Sequence, residues 1–578
     1  MLRSFALLCA LVAATPAVAA AGKSAPAKSS KSSSKSSKSS EKSSAKDTRK
    51  GRSRSDRDRR KGREAERSRP SVPDETAPRV AQNPDDPREQ RIGKLRERLD
   101  AVVHETPLGR TRIGVAVLNA RDGDVLYAHN ADRLFDPASN TKILTTAAAL
   151  EKLGGDYRYV TRLLGAAPGE DGVIHGDVEL RGSGDPSLTT QGLADLAREV
   201  AARGVVRIEG DLLADGKYRD PLRPEEKLGG GALILNRNTY TIRVRPTEPR
   251  KNAAVSIEPA SPEYFVVESR ATTVPKRKTR LKLSVSRRGD GKYVIVVKGR
   301  INPKGEVKLK EKLGDGASYA SAVLRRALAD YGVELTGGLR GGALTVPSTV
   351  TVAEHRSGPL ADVCRISNKD SNNFVADQIF KTLGRECFGA GPVADVMKKG
   401  ARAVYEWLAP TGIPSAAWKI VNGSGLGHEN RLDPLGLAQL LRHLYLDLRV
   451  APEFVTSLAI GGIDGTIKGR FGGSMAGRVR AKTGTLSNVS ALSGYVGDKG
   501  DVLVFAILVD DFHHRRLEEI RYAQTKLVRE MMGFLRSDVI DAQAAPAPAE
   551  GEEPAAEPDD DESPEGSEGE GETEGTAE

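Results

Sequence analysis

The spacing of apolar residues predicts a chain of mixed helices and strands. Helical spacing is clearest over residues 139–153, where apolar side chains recur on one face and two glycines end the pattern. Further helical segments are predicted at 91–103, 359–365, 373–384 and 516–535. Strand alternation is predicted at 112–118, 124–129, 479–482, 490–496 and 502–509, with a hairpin turn at 121–123. This order favours an α/β class.

The texture of the sequence changes between residues 166 and 350. Short β-rich segments such as 281–285 and 293–297 are separated there by Gly, Pro and basic turns. We interpret 166–350 as an insert that consists of two small β-rich domains. Residues 91–540 are too many for one ordinary domain. The α/β domain that surrounds the insert therefore consists of a first part, 91–165, and a second part, 351–540.

The two ends of the chain differ sharply in composition. Residues 1–19 combine an early Arg3, an apolar stretch and a small-residue site, as in a cleavable signal peptide. Residues 20–90 form a basic Ser/Lys/Arg-rich arm and residues 541–578 an acidic tail, and both are predicted to be disordered. The net charge of +10 conceals this polarity. We expect a secreted protein of the periplasm or cell envelope.

The basic arm admits two readings. It is either a solvated spacer or an electrostatic attachment to anionic envelope polymers or lipid head groups. Nucleic acid is not expected as a partner, because an exported chain seldom meets it and the arm lacks aromatic residues for stacking. After signal removal Cys364 and Cys387 remain, an even number, and an oxidising compartment favours a disulfide between them over two free thiols.

Candidate chemistry begins at Ser139 and Lys142. The Ser-x-x-Lys spacing puts the amine one helical turn from the hydroxyl, where it can act as the base for a serine nucleophile if its pKa is lowered. Lys482 is a candidate for the neighbouring cation that lowers it. The histidines show no metal-ligand spacing and Ser139 lacks a Gly-x-Ser-x-Gly elbow, so we expect no metal, no cofactor and no His-based triad.

Two further motifs follow in the chain. Ser371 and Asn373 offer a hydroxyl for proton relay and an amide for a substrate carbonyl. The segment Lys482-Thr483-Gly484 offers a cation and a hydroxyl to a carboxylate, and its glycine lets an extended peptide lie against the strand. The backbone amides of Ser139 and Thr485 are candidates for the oxyanion hole. Taken singly, the first motif fits a pair of residues on a surface helix, the second a helix cap, and the third the end of a strand. Together, in this order, they indicate catalysis.

The three motifs resemble those of the penicillin-binding proteins and serine β-lactamases. The long separation of Ser139 from Ser371 resembles the class C low-molecular-mass penicillin-binding proteins, the D-alanyl-D-alanine carboxypeptidases/endopeptidases of peptidase family S13. Segments 176–186, 232–238, 422–426 and 482–496 match that family's texture, and the likeness covers 95–535. The chain departs from it at Asn422, where the family commonly has Asp, and at Gly427-His428.

The resemblance implies an antiparallel sheet with helices in a transpeptidase-like domain, interrupted by the β-rich insert. It also implies an acyl-enzyme on Ser139, peptidoglycan stem peptides or cross-links as substrates, and β-lactams as covalent inhibitors. It further implies that a residue of the inserted domain recognises the diamino acid of the stem, and Asp220 or a neighbour in 217–226 is the candidate. The alternatives are a β-lactamase, or a wall-binding scaffold whose site is idle.

Overall fold

The computed structural model describes residues 87–105, 107–214, 231–345, 349–389, 393–498 and 500–544. The predicted signal peptide, the arm up to residue 86, the tail from residue 545 and Asp220 with its neighbours 217–226 lie outside the described residues. No described helix is long and apolar enough to cross a bilayer.

The described elements are numbered here in chain order. The helices are α1 (Pro87–His104), α2 (Thr141–Leu153), α3 (Thr190–Ala202), α4 (Gly316–Asp330), α5 (Leu360–Lys369), α6 (Asn373–Phe388), α7 (Val393–Leu408), α8 (Pro434–Leu446), α9 (Ala451–Ser457) and α10 (Leu517–Ala544). The first strands are β1 (Arg112–Asn119), β2 (Val125–His129), β3 (Val160–Gly165), β4 (Val173–Ile174), β5 (Val178–Gly182), β6 (Arg207–Ile208), β7 (Leu212–Ala214), β8 (Thr239–Arg245), β9 (Ala254–Glu258) and β10 (Phe265–Thr273). The remaining strands are β11 (Arg280–Arg287), β12 (Tyr293–Ile301), β13 (Val307–Lys312), β14 (Glu334–Leu335), β15 (Leu339–Gly341), β16 (Val350–Arg356), β17 (Ala459–Ile460), β18 (Val479–Leu486), β19 (Val489–Asp498) and β20 (Asp501–Asp510).

A six-stranded antiparallel sheet joins the two ends of the described chain. Its strand order is β17-β18-β19-β20-β1-β2, so β1 pairs with β20 although the two are far apart in sequence. Helices α1 and α10 pack on one face through residues such as Leu99 and Leu527. The other face carries the core around α2, α6 and α8, which includes Ile143, Phe380 and Leu437. Both faces are therefore covered by helices.

The inserted segment, together with the flanking strands β3 and β16, builds its own hydrophobic core from smaller sheets. Their strand orders are β15-β7-β5-β3-β16, β14-β6-β4, β13-β8-β9 and β10-β12-β11. This core also contains the amphipathic helices α3 and α4, through side chains such as Leu196 and Leu324. The α/β class and the interrupted antiparallel sheet are as predicted. The insert also contains the helices α3 and α4, because apolar residues recur there at helical spacing between the short strands and turns.

The predicted disulfide is wrong in this structure, where both cysteines are free thiols. Cys364 lies on α5 and is fully buried in the core. Cys387 lies in the last turn of α6 and is exposed. At 1.5 Å per residue, α6 carries Cys387 about 20 Å along its axis from Asn373. The two thiols therefore lie in different surroundings, one in the core and one at the surface.

Candidate active site

The Ser139 hydroxyl lies at the start of α2, in a single 3₁₀ turn over Ala138–Asn140. Ala138 has a positive φ of 43°, and its amide donates to the Asp136 carboxylate at 2.9 Å. The Asn140 side chain donates to Ser493 Oγ on β19 at 2.7 Å. These contacts fix the turn against the sheet and leave Ser139 partly exposed at its tip. A strained turn held in this way is typical of a functional position.

Lys142 follows one turn later, with its side chain fully buried. Its Nζ lies 2.8 Å from Ser139 Oγ and 2.7 Å from Asn373 Oδ1, and it also donates to the Ser424 carbonyl. Burial lowers the pKa of Lys142 to about 7, and the nearby Asp377 carboxylate opposes that shift. A large share of the amine is therefore neutral near pH 7 and can accept the Ser139 proton.

Ser371 and Asn373 come from the short connection between α5 and α6. Ser371 has a positive φ of 53°, a conformation that a residue with a side chain rarely adopts. The N-cap Asn372 accepts from the Val375 amide at 3.0 Å and holds the start of α6. Because Asn373 turns its carbonyl oxygen to Lys142, its amide group is left to donate elsewhere.

Lys482 reaches the same site from β18. Its Nζ donates to Ser371 Oγ and to the Thr483 carbonyl, both at 2.8 Å, and its side chain is fully buried. Burial first, and then the charge of Lys142, lower the pKa of Lys482 well below its ordinary value. Burial is the leading cause that lowers the pKa of Lys142, whereas the charge repulsion between the two amines contributes to lowering the pKa of Lys482.

Glycines allow the catalytic segments to approach closely. A Cβ atom on Gly484 of β18 would lie 2.7 Å from the Pro137 carbonyl oxygen and 3.1 Å from the Ser139 amide nitrogen. Gly425 has a positive φ of 76°, and its Cβ would overlap the Ala138 carbonyl. Both positions therefore require glycine for the turn of Ser139 to sit where it does.

These elements surround one cleft of about 830 Å³. Ser139, Ser371, Asn373, Thr483 and Thr485 all line it. The predicted catalytic residues thus converge on this cleft. The amines of Lys142 and Lys482 are buried beneath its lining residues, and Gly484 lies on β18 beside it. Among the described residues, no group of three or more His, Cys, Asp or Glu side chains is placed to hold a metal ion.

Several residues of the site were missed by sequence reasoning. Asp377 on α6 accepts from the Gly423 amide at 3.1 Å and interacts electrostatically with Lys142. Burial raises the pKa of this carboxyl, and the charges of Lys381 and Lys142 oppose the rise. Asn430 ties the loop of Ser424 to α2 by donating to Thr141 Oγ1 at 3.0 Å. The spacing from Asn373 to Asp377, one helical turn, was the only available signal.

A further missed residue is Arg521 of α10, which contributes positive charge to the wall of the cleft. Its guanidinium donates to Thr485 Oγ1 at 3.1 Å and pairs with the exposed Glu518. Arg470 lies behind it, donating to the Arg521 carbonyl at 3.0 Å, and burial lowers the pKa of Arg470 to about 10. Arg470 and Arg529 also line the cleft, so Arg521 is one of three guanidinium groups there, whereas the amine of Lys482 is buried and hydrogen-bonded to Ser371.

The departure at His428 also lies beside the nucleophile. His428 Nδ1 is 2.7 Å from Asp136 Oδ2, on the same carboxylate that accepts from the Ala138 amide. About half of the His428 side chain is exposed, so the ring can meet solvent at the rim while the carboxylate is buried. This pair fastens the loop of residues 422–430 to the segment that carries Ser139.

The arrangement defines a class of protein: a serine acyl-transfer site in which a buried lysine with a lowered pKa activates the hydroxyl. The sequence profile of the D-Ala-D-Ala carboxypeptidase 3 (S13) family of peptidases matches residues 95–531. The chain belongs to this family. It is accordingly a serine-type peptidase, a hydrolase, in agreement with the resemblance seen in its motifs.

Individual relatives agree with the family assignment. The D-alanyl-D-alanine carboxypeptidase of Actinomadura sp. strain R39 is 32% identical over 444 residues, covering 72% of this chain and 81% of the relative. The crystal structure of penicillin-binding protein 4 (dacB) from Haemophilus influenzae has a TM-score of 0.61 at 21% identity, covering 76% of this chain and 99% of that one. A β-lactam complex of the same protein gives 0.59 at 22%, covering 75% and 99%. The fold is thus that of the penicillin-binding proteins.

Proposed function

We propose that this chain is a serine D-alanyl-D-alanine carboxypeptidase/endopeptidase that cleaves peptidoglycan stem peptides through an acyl-enzyme. The observation that carries the proposal is the 2.8 Å contact between Ser139 Oγ and the buried Lys142 Nζ, whose pKa is lowered to about 7. An amine in that state can remove the hydroxyl proton as the oxygen attacks.

In the first step Ser139 Oγ bonds to the carbonyl carbon of a D-alanyl peptide bond while Lys142 takes its proton. The oxyanion forms between the backbone amides of Ser139 and Thr485, on the two segments that Gly484 brings together. The carbon–nitrogen bond then breaks as Ser371, hydrogen-bonded to Lys482, passes a proton to the leaving amine. The proton that Lys142 took from Ser139 restores the Ser371 hydroxyl, which leaves Lys142 neutral to accept a proton from the attacking water. Water attacks the resulting ester and releases the trimmed peptide.

The leaving amino acid carries an α-carboxylate, and Thr483, Thr485 and Arg521 line the cleft where it would lie. Arg521 supplies the charge and Thr485 a hydroxyl already hydrogen-bonded to it. A β-lactam presents a carboxylate next to its reactive amide in the same relation, so the proposal includes covalent inhibition by β-lactams. The β-lactam complex of the similar Haemophilus protein supports this point.

Covalent labelling tests the reaction. Fluorescent penicillin should label the wild-type chain and the Ser487→Ala control, whose exposed hydroxyl lies in the turn after β18, but not Ser139→Ala. Release of D-alanine from a D-Ala-D-Ala peptide should follow the same pattern. A wild-type chain that neither labels nor releases D-alanine would be an idle scaffold. Rapid, sustained turnover of nitrocefin would instead make the chain a β-lactamase.

We propose further that the protein is exported to the periplasm or cell envelope and that its basic arm attaches it to anionic polymers or lipid head groups there. The apolar leader at 1–19 and the cationic sequence of the arm support this proposal. Fractionation of cells that produce the full chain should recover labelled protein outside the cytoplasm, shortened by the leader. Recovery of the unshortened chain in the cytoplasm would contradict the proposal.

A further inference from the structure

The sheet β10-β12-β11 of the insert has one face in the core and one face outside it. Residues such as Ile295 and Val297 of β12 and Leu283 of β11 pack inward. Residues two apart share a face, so the intervening positions lie on the outer face. The outward positions at one end of the three strands are Arg270, Arg280, Lys282, Lys298 and Arg300, here called the cationic face.

The register places like charges directly opposite one another. Lys282 of β11 is paired with Lys298 of β12, and Arg280 is paired with Arg300. On the other side of β12, Arg270 of β10 is paired with the same Lys298. Like charges opposite one another normally destabilise a sheet. Two successive like-charge pairs therefore destabilise this sheet and bring no gain to the fold. An arrangement of this kind is typical of a functional surface.

Little in the described part of the chain neutralises the cationic face. Arg270 pairs with Glu268, and Arg300 donates to the Lys278 carbonyl. Lys282 and Lys298 are exposed and form no salt bridge with a described residue. The exposed turn at 276–278 adds three more cations at the same end of the sheet, because its Lys278 carbonyl contacts Arg300. The positive field is consequently concentrated rather than balanced.

We propose that the cationic face binds a linear, phosphate-bearing polyanion. Adjacent strands are about 4.8 Å apart and alternate residues about 6.8 Å apart along a strand, so the cations form a compact grid that several successive phosphates can span. Ammonium and guanidinium groups are the usual protein partners of phosphate. A linear polymer, unlike a single ion, engages several of these cations at once and releases its counterions in doing so.

Binding at the cationic face is separate from catalysis. None of its residues lines the catalytic cleft, and the sheet belongs to the core of the insert rather than to the core around α2. The polymer would therefore hold the enzyme in place without occupying the site of the peptide. Loss of the cationic face should leave penicillin labelling intact, so failure of this inference is distinguishable from failure of the proposed function.

The test compares two variants of the full mature chain with the same loss of charge. In the first, Lys282, Lys298 and Arg300 are each changed to Gln. In the control, three exposed lysines of β13 in the neighbouring sheet are changed to Gln, namely Lys308, Lys310 and Lys312. Binding to long-chain sodium polyphosphate is measured against salt concentration. Penicillin labelling and thermal unfolding show that both variants are folded.

We expect the first variant to bind polyphosphate at least about tenfold more weakly than the control at low salt. Its dependence of log K on log salt should also be shallower by about two to three. Equal binding by the two variants would overturn the inference. Polyphosphate binding that appears only after deletion of residues 545–578 would overturn it in favour of the acidic tail as occupant. A difference between the variants seen on anionic phospholipid vesicles but not on polyphosphate would overturn it in favour of a membrane.

Discussion

At the scale of single residues, burial determines which groups act as acids, bases and cations. Lys142 and Lys482 are both lysines of the same cleft, yet both have lost the environment that keeps an ammonium charged. Arg521 remains partly exposed and keeps its guanidinium charge, as arginine does in nearly any setting. Lys142 and Lys482 belong to the sequence motifs, whereas only the structure places Arg521 at the cleft.

The state of Lys142 predicts the pH dependence of acylation. The pKa in the folded protein is lowered to about 7, so the neutral amine that accepts the proton predominates above that value. The second-order rate of labelling by fluorescent penicillin should rise with pH through about 7 and then level off. Lys142→Met should lose this limb and about a hundredfold or more of the rate. A rate independent of pH between 5 and 9 would contradict the role of Lys142.

The role of Arg521 predicts a distinction between substrates. Arg521→Gln should lower kcat/KM about tenfold to a hundredfold for a peptide that ends in a free carboxylate, the value of one charged hydrogen bond. The same peptide ending in an amide should be cleaved equally by both proteins, because it has no charge to lose. Arg516→Gln is the matched control, since Arg516 pairs with Glu519 and does not line the cleft. Equal losses on both peptides would assign Arg521 a structural role only.

Some site residues can be recognised from short sequence motifs, whereas others cannot. Ser139, Lys142, Ser371, Asn373 and the Lys482–Thr485 segment lie in short motifs whose order along the chain is informative, and the structure brings them to one cleft. Asp377, Arg470 and Arg521 are isolated charged residues within ordinary helices or turns. Their proximity to the cleft arises only from tertiary packing, so no local pattern marks them out.

At the scale of elements, the glycine in β18 allows strand and nucleophile to meet. In Gly484→Ala the new methyl group would press on the Pro137 carbonyl and the Ser139 amide, in backbone that cannot easily move. We expect labelling by fluorescent penicillin to fall at least tenfold while thermal unfolding changes little. Gly469→Ala is a suitable control, because Gly469 lines the same cleft and its Cβ would meet nothing within 4 Å. Normal labelling of Gly484→Ala would show that the approach is not required.

The cationic face makes an independent prediction about stability. Lys298→Gln removes repulsion with both Lys282 and Arg270, so the melting temperature should rise by roughly 1–3 °C. Lys310→Gln on β13 lies opposite Thr241 and removes no like-charge pair, so it should leave the melting temperature unchanged. The gain for Lys298→Gln should shrink at high salt, where the repulsion is screened. A loss of stability at position 298 would show that the cations support the sheet.

Prediction of elements from the sequence succeeded where the period was long and uninterrupted, as in α2, α6, α10 and the strands β1, β19 and β20. It failed for α3 and α4, which are flanked by short strands and Gly-rich turns that favour a β reading. The pairing of β1 with β20 was also beyond local reasoning, because it joins segments nearly at the two ends of the described chain. Apolar spacing encodes the type of an element but not its neighbour.

At the scale of the whole molecule, positive charge is concentrated in two segments of the sequence. One is the arm of residues 20–90, known from the sequence alone, and the other is the cationic face on the insert. The catalytic cleft belongs to the domain built on the six-stranded sheet, and no residue of the cationic face lines it. The proposed attachment and the catalytic site thus involve different residues of the chain.

If both cationic regions hold the enzyme on polyanions, their effects on binding should add. Deleting residues 23–69 and replacing Lys282, Lys298 and Arg300 should each reduce the salt dependence of polyphosphate binding, and the double variant should lose the sum of the two. Distinct regions without shared partners contribute independently to log K. Penicillin labelling should be the same in all four proteins. A double variant no weaker than the deletion alone would place all attachment in the arm, whereas one no weaker than the triple replacement would place it in the insert.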